Sequence, residues 1–377
     1  MNKHRIGLLD SFRCISIILV MLFHFSTPPV KQILANGQHM PAVTFGYLGV
    51  EFFYIISGFV ISYSLENTPD ISTFFKHRFI RLFPAMLFCS LVTLIIAILF
   101  DNTIYISNAH DVKNLLPGLT FINPSIWKAA TGVDFHYIDG SYWSLWAEMQ
   151  FYIIVSLIYF GSRKHFFRNT LIAAIVICIQ KNAPMDLPAH FPGLTAKYHL
   201  AAFFEGWRYG NEMFNISYFI FWFTFGIIFY QLYKGYSFKK QPVIIIGCLW
   251  VLVLFVLDVR RYFNTVSVSM FIGGGVMFIV FTLLIYKSQY LRFLDNRFIR
   301  RIGVTSYSIY LLHEVTGIIL MKRFGYLLGP FGWVAPYIMI IIMIGLGELI
   351  FKYIEQRINI KLRKPAETKL LAKPSVL

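Results

Sequence analysis

Apolar residues recur along the chain in runs of about 20, the length an α-helix needs to cross the hydrocarbon core of a bilayer, and short polar stretches separate the runs. The pattern predicts about ten spans: Ile6 to Phe25, Phe45 to Leu65, Leu82 to Phe100, Tyr142 to Phe160, Phe167 to Gln180, Phe214 to Tyr233, Pro242 to Leu257, Val266 to Tyr286, Gly303 to Met321 and Trp333 to Phe351. The fifth is the shortest. The expected architecture is all-α, a polytopic transmembrane helical bundle, because a helix satisfies its own backbone in lipid. Residues 1–355 form one membrane domain in this reading, followed by a basic cytoplasmic tail over 356–377. No internal repeat stands out, so pattern gives no support to an inverted-repeat transporter.

Composition agrees with a lipid solvent. Of 377 residues 57% are hydrophobic and 14% charged, against roughly a quarter charged in soluble domains. This excludes a soluble catalytic domain or a long disordered tail. The net charge of +16 would suggest nucleic acid in a soluble protein, but here the basic residues sit between apolar runs and report topology instead. Lys76, Arg78 and Arg81 precede the third predicted span, Arg163, Lys164 and Arg168 the fifth, Lys234, Lys239 and Lys240 the seventh, and Lys287, Arg292, Arg297, Arg300 and Arg301 the ninth. The loop from Asp101 to Ser141 carries only Lys113 and Lys128 against four aspartates. Positive-inside counting therefore predicts both termini in the cytoplasm and the loops Asp101 to Ser141 and Lys181 to Met213 outside. The four cysteines lie inside apolar runs without metal or disulfide spacing. No metal site is expected. The segment after His24 lacks a cleavage pattern, so the first helix is expected to be retained.

Each ionisable residue inside a span costs roughly 3 kcal/mol or more and marks a candidate site. Arg13 and His24 stand eleven positions apart in the first span. At about 100° per residue they share a helix face, about 16 Å apart along the axis. With the N-terminus inside, His24 falls near the outer end. Glu51 opens the second span and Glu148 the fourth, both expected near the same outer surface. Arg78 and Arg81, a turn apart, are expected at the cytoplasmic mouth. His313 and Glu314 add an acidic and an imidazole group to the ninth span, although neighbours on a continuous helix do not share a face. Glu348 and Glu355 lie in and after the tenth. Bland readings exist for each: inside-positive anchors for the arginine pair, interface aromatics for Trp143 and Trp146, and a structural ion pair for Arg13 or Glu51.

Taken in order, Arg13 with His24, then Gly49-Val50-Glu51-Phe52-Phe53 and Ile56-Ser57-Gly58-Phe59, then Arg78-Phe79-Ile80-Arg81, then Trp143-Ser144-Leu145-Trp146-Ala147-Glu148-Met149-Gln150-Phe151-Tyr152, and Ser306-Tyr307-Ser308-Ile309-Tyr310-Leu311-Leu312-His313, the set resembles acyltransferase family 3 of membrane O-acyltransferases. Glu51 stands where the family pattern commonly has Asp, and Ala147 where it is often valine-like; neither change removes a chemical group. The resemblance implies about ten helices in a bacterial inner membrane and transfer of an acyl group, usually acetyl from cytoplasmic acetyl-CoA, to a sugar hydroxyl of an extracytoplasmic or lipid-linked glycan such as lipopolysaccharide. It implies that Arg13 and His24 are essential for transfer and that Arg78 and Arg81 serve the donor. Some members carry a fused extracytoplasmic hydrolase-like domain, for which the roughly 25 residues after the last predicted span are too few.

Acyl transfer to a hydroxyl needs a base and an oxyanion donor, and imidazole suits the first near neutral pH. The expected catalytic set is His24 as general base with Glu51 or Glu148 fixing its tautomer. Arg78 and Arg81 are expected on the CoA phosphates and Arg13 partway along the donor. Trp143, Tyr152 and His313 are the expected acceptor-binding residues, and the outer-loop residues Trp127, His136, Asp139, His190 and Trp207 are expected to tune specificity. A covalent acyl-histidine relay stays open. The alternative from another class is a transporter or flippase of a phosphorylated or sugar substrate, using the same charged residues as a path.

Overall fold

The computed structural model describes residues 3–26, 43–102, 106–182, 213–236 and 268–362, together with residues 206, 210, 248 and 249. The helices that matter here are α1 (Lys3–Ser26), α2 (Leu48–Glu66), α3 (Ile71–Phe100), α4 (Leu115–Thr120), α5 (Pro124–Thr131), α6 (Trp143–Gly161), α7 (Phe166–Asn182), α8 (Ile216–Tyr233), α9 (Val268–Tyr286), α10 (Arg297–Leu312), α11 (Val315–Phe324), α12 (Ala335–Ile350) and α13 (Gln356–Leu362). The described residues contain no strand. Among the described residues six helical stretches are long and apolar enough to cross a membrane, and a seventh joins them if α9 and the 3-10 segment after it, bent by 112°, count as one span.

The protein is thus a polytopic helical membrane protein, with three differences from the predicted spans. The third begins at Ile71 and runs 30 residues, so Arg78 and Arg81 lie within the helix instead of ahead of it. The fifth is α7, at 17 residues short of a full crossing. The ninth is divided into α10 and α11 at His313 and Glu314. The predicted seventh span, Pro242 to Leu257, lies almost wholly outside the described residues.

Burial is inverted relative to a soluble bundle. On α3, Leu87, Phe88, Leu91, Ile95, Ile98 and Leu99 are exposed, while Cys89, Ser90, Thr93 and Ala97 are buried. Small and weakly polar residues let helix backbones approach where lipid gives no hydrophobic drive between helices. Ser11, Ser16, Ser62 and Thr224 are buried as well, and Ser16, Ser62 and Thr224 return their hydroxyls to carbonyls four residues back.

The chain divides into two compact units. The first comprises residues 1–56, 72–144 and 268–377 and the second residues 57–71 and 145–267. In the first, α1 packs tightly on α10 and on the start of α2. A methyl group on Gly303 would fall 1.7 Å from the backbone oxygen of Asp10, and one on Gly49 2.4 Å from that of Ser16. Backbone stands on the other side of both gaps, so neither can yield as a side chain would. Gly303→Val is therefore expected to destabilise the protein by about 3 kcal/mol, read as a lowered thermal midpoint of the purified protein in detergent. In the second unit, Gly58 of α2 meets the backbone of Phe223 of α8, and Phe151 of α6 stacks on the Phe223 ring at 4.1 Å.

Candidate active site

The break between α10 and α11 builds the site in the first unit. In an unbroken helix the Val315 N–H would bond to the Leu311 carbonyl. Here both go elsewhere: Val315 N–H donates to Asp139 Oδ2 at 3.0 Å, and the Leu311 carbonyl accepts the Tyr142 hydroxyl at 3.0 Å. One carbonyl earlier, Tyr310 O accepts from His313 Nδ1 at 2.7 Å. Side chains inserted into the ladder interrupt it. Neither Pro nor Gly occupies the break; partners on the far side of the fold make it.

At this break His313 and Glu314 both reach the end of α1. Glu314 Oε1 lies 3.5 Å from His24 Nδ1. The His24 and His313 rings stand edge to face at 5.0 Å between centroids. His24 and Glu314 are about one-fifth exposed, whereas His313 is fully buried. With its Nδ1–H on the Tyr310 carbonyl, neutral His313 keeps Nε2 as a bare acceptor, and that atom is buried without a hydrogen-bond partner among the described residues, as is Glu314 Oε2.

The loop entering α6 forms the opposite wall. Asp139 Oδ1 accepts from the Ser141 N–H and hydroxyl at 3.0 and 2.6 Å. Tyr310 Oη donates to Ser141 O at 2.9 Å and meets Ser144 Oγ at 2.7 Å, and Tyr54 Oη donates to Ser144 O at 3.1 Å. Gly140 is exposed, and a Cβ there would sit 2.8 Å from Glu314 Oε1, so its missing side chain is the room the carboxylate occupies. Burial pushes the Asp139 carboxyl up to about 6, while its three hydrogen bonds, from Ser141 and Val315, pull it down.

The other sequence-predicted residues fall in three places. Arg13 is bound to Asp10 Oδ1 at 2.6 Å, and Asp10 lies within electrostatic reach of Arg13, Arg81 and Arg300. Arg81 also acts on Glu355, whose Oε1 accepts the Ser308 hydroxyl within a π-helical turn over Phe351–Glu355. Arg78 is buried, its guanidinium 5.6 Å from the Phe74 ring centre. Glu51 is buried on α2 beside the early half of α1, since Gly49 abuts Ser16 and Phe52 stacks on Phe12 at 5.5 Å. That sets it about two turns or more from His24 along the helix, so the carboxylate beside the imidazole is Glu314 and not Glu51. Glu148 and Tyr152 belong to the second unit, where Glu148 Oε1 accepts the Ser57 and Tyr152 hydroxyls at 2.7 and 2.6 Å. Trp143 opens α6, next to Ser144 and its contacts.

A family profile described as an acyltransferase domain matches residues 6–351, nearly the whole chain. The chain belongs to acyltransferase family 3. Among curated relatives of this chain, the O-acetyltransferase OatA of Staphylococcus aureus is 25% identical over 379 residues, covering 94% of this chain and 57% of its own length. The acyltransferase MdmB of Streptomyces mycarofaciens is 28% identical over 185 residues, 46% of each chain. A putative O-acetyltransferase of Staphylococcus aureus strain COL is 27% identical over 161 residues, 40% of this chain and 24% of its own. The chain thus spans little more than half the length of the first of these relatives. No solved structure matches it.

Two carboxylates stand out beyond the expected catalytic set. Asp10 was readable as a carboxylate three positions before Arg13, the spacing of neighbours on a helix face. Asp139 appeared only as an outer-loop acid, and nothing local signals that it caps a helix 176 positions away. Among the described residues no group of His, Cys, Asp and Glu could hold a metal ion.

Proposed function

We propose that this acyltransferase is a membrane O-acyltransferase that moves an acetyl or related acyl group from cytoplasmic acyl-CoA to a sugar hydroxyl of an extracytoplasmic or lipid-linked glycan. In this reading residues 1–355 are the transfer domain in a bacterial inner membrane, with both termini and the basic 356–377 tail in the cytoplasm. The observation that carries the reading is His24 with Glu314 on one nitrogen, at the partly exposed end of α1 beside Gly140. The names of the relatives, O-acetyltransferase and acyltransferase, point to the same chemistry.

His24 Nδ1 faces Glu314, and we assign Nε2 as the base. It takes the hydroxyl proton as the hydroxyl oxygen forms its bond to the acyl carbon. Glu314 stabilises the resulting imidazolium and holds the ring in the productive tautomer. When the carbon–sulfur bond breaks, His24 returns the proton to the departing thiolate and is neutral again. The thioester donor supplies the activated carbonyl and the leaving group. Its phosphates suit the arginine-rich end of the first unit, where Arg13, Arg81 and Arg300 act together on Asp10. We assign Arg78, Arg81 and Arg13 to the donor, and Trp143, Tyr152 and His313 to the acceptor. Glu148 holds the Ser57 and Tyr152 hydroxyls within the second unit.

Purified protein given radiolabelled acetyl-CoA and a saccharide acceptor tests the reading. Release of free CoA together with a labelled sugar ester supports it; bound sugar phosphate with no thioester turnover sinks it and favours a transporter. In the same assay Arg78→Ala with Arg81→Ala is expected to weaken donor affinity about 100-fold, from the loss of charged hydrogen bonds, with kcat much less affected. A non-hydrolysable acyl-CoA analogue titrated by calorimetry measures the affinity directly.

A further inference from the structure

Asp139 bridges the two walls of the site. Its side chain is fully buried, and its two oxygens accept three hydrogen bonds: from the Ser141 N–H and hydroxyl on one side, and from the Val315 N–H on the other. Val315 directly follows Glu314, so the second contact fixes the peptide next to the Cα that carries the carboxylate. The first fixes the turn in which Gly140 leaves space for that carboxylate.

We infer that Asp139 is a positioning residue for the transfer: by holding the Val315 N–H and the Gly140–Tyr142 turn at once, it keeps the α10–α11 break open and aims Glu314 at His24. The inference rests on the proposed roles of His24 and Glu314. Its physical basis is the competition for the Val315 N–H. If that group returned to the Leu311 carbonyl, the peptide between Glu314 and Val315, now turned to a Glu314 ψ of -75°, would rotate back into the helical ladder. The Glu314 carboxylate would then shift from its place beside the Gly140 turn. Tyr142 contributes a second lock by occupying the Leu311 carbonyl, while Asp139 hydrogen-bonds both the turn and the first N–H of α11.

A carboxylate is the side chain the geometry demands, because all three of its partners are donors. In Asn the amide nitrogen would confront either the Val315 N–H or the Ser141 N–H, donor against donor. A plain helix cap would also contribute stability at this position, so the test must separate aim from stability.

The measurement is steady-state transfer by the full-length protein in nanodiscs, comparing Asp139→Asn, Glu314→Gln and the double variant. Asp139→Asn is expected to lower kcat about 30-fold through misplacement of Glu314, with KM for the acyl donor held within about twofold. In the Glu314→Gln background it is expected to cause no further loss, because its target is gone. Unchanged kcat in Asp139→Asn, or the same 30-fold fall in both backgrounds, overturns the positioning role while leaving His24 and Glu314 in place. Full activity in Glu314→Gln removes the underlying reading instead, and this inference with it. If Asp139→Asn is not recovered folded, Ser141→Ala loses one of the three contacts, and an undiminished kcat in that variant overturns the proposal.

Discussion

Replacing His24 with alanine is expected to lower kcat/KM for acyl transfer about 1,000-fold, within the range contributed by a positioned general base. The expectation follows from what stands near that ring. The other imidazole beside it, His313, has Nδ1 committed to the Tyr310 carbonyl and is fully buried. Donor affinity should survive, because Arg78 and Arg81 lie on α3, well before its buried Ser90, and are independent of His24. Fold should survive too, since His24 is partly exposed and its truncation opens the site more than it empties a core. The check is a single preparation measured three ways: elution as a monodisperse species, calorimetric binding of a donor analogue, and turnover. Unimpaired turnover in that folded, donor-binding variant would take His24 out of the mechanism. Accumulation of label on wild-type protein, lost in the variant, would instead identify His24 as a covalent acyl carrier.

The membrane architecture was legible because its cause is local. An apolar run long enough to span lipid must form a helix there, whatever else the chain does, and most predicted spans reappear within a few residues. The differences arise where tertiary contacts intervene. α3 continues 11 residues ahead of its predicted start because the stretch around Lys76 and Arg78 is helical without being apolar. Hydropathy detects solvent preference and is blind to a helix that emerges from lipid.

The site was half legible for the same reason. The spacing of Arg13 and His24 is a property of one helix, and α1 carries both. The partner of His24 was not readable from spacing, since adjacent residues on an intact helix diverge and nothing in Leu312-His313-Glu314-Val315 announces a break. Asp139 and Tyr142, about 170 positions earlier, impose it. Glu51 was placed near His24 by counting from the start of an apolar run, but the register of α2 against α1 is set by Gly46 and Gly49 on Leu19 and Ser16, which lowers Glu51 along α1. The charged residues were found by the cost of burying them; their pairing needed the packing.

Glu314→Gln is the variant that tests this pairing most sharply, and it is expected to lower kcat about 100-fold. The substitution preserves size and leaves room beside Gly140 occupied, so packing changes little. What it removes is the negative charge 3.5 Å from His24 Nδ1. In the ground state His24 is neutral and the loss is modest. As the hydroxyl proton arrives the ring becomes cationic, and in a partly buried, low-dielectric setting the missing charge is felt mainly then. The effect should therefore appear in kcat with little change in KM for either substrate. A glutamine also offers an NH2 toward the same nitrogen and so favours the tautomer with the proton on Nε2, which cannot accept a proton there. Glu314→Asp, keeping the charge but pulling it back by one methylene, should fall between the two. If glutamine is tolerated with kcat intact while His24→Ala is inactive, the carboxylate beside His24 is a structural neighbour, and the charge that the imidazolium requires must come from elsewhere in the site.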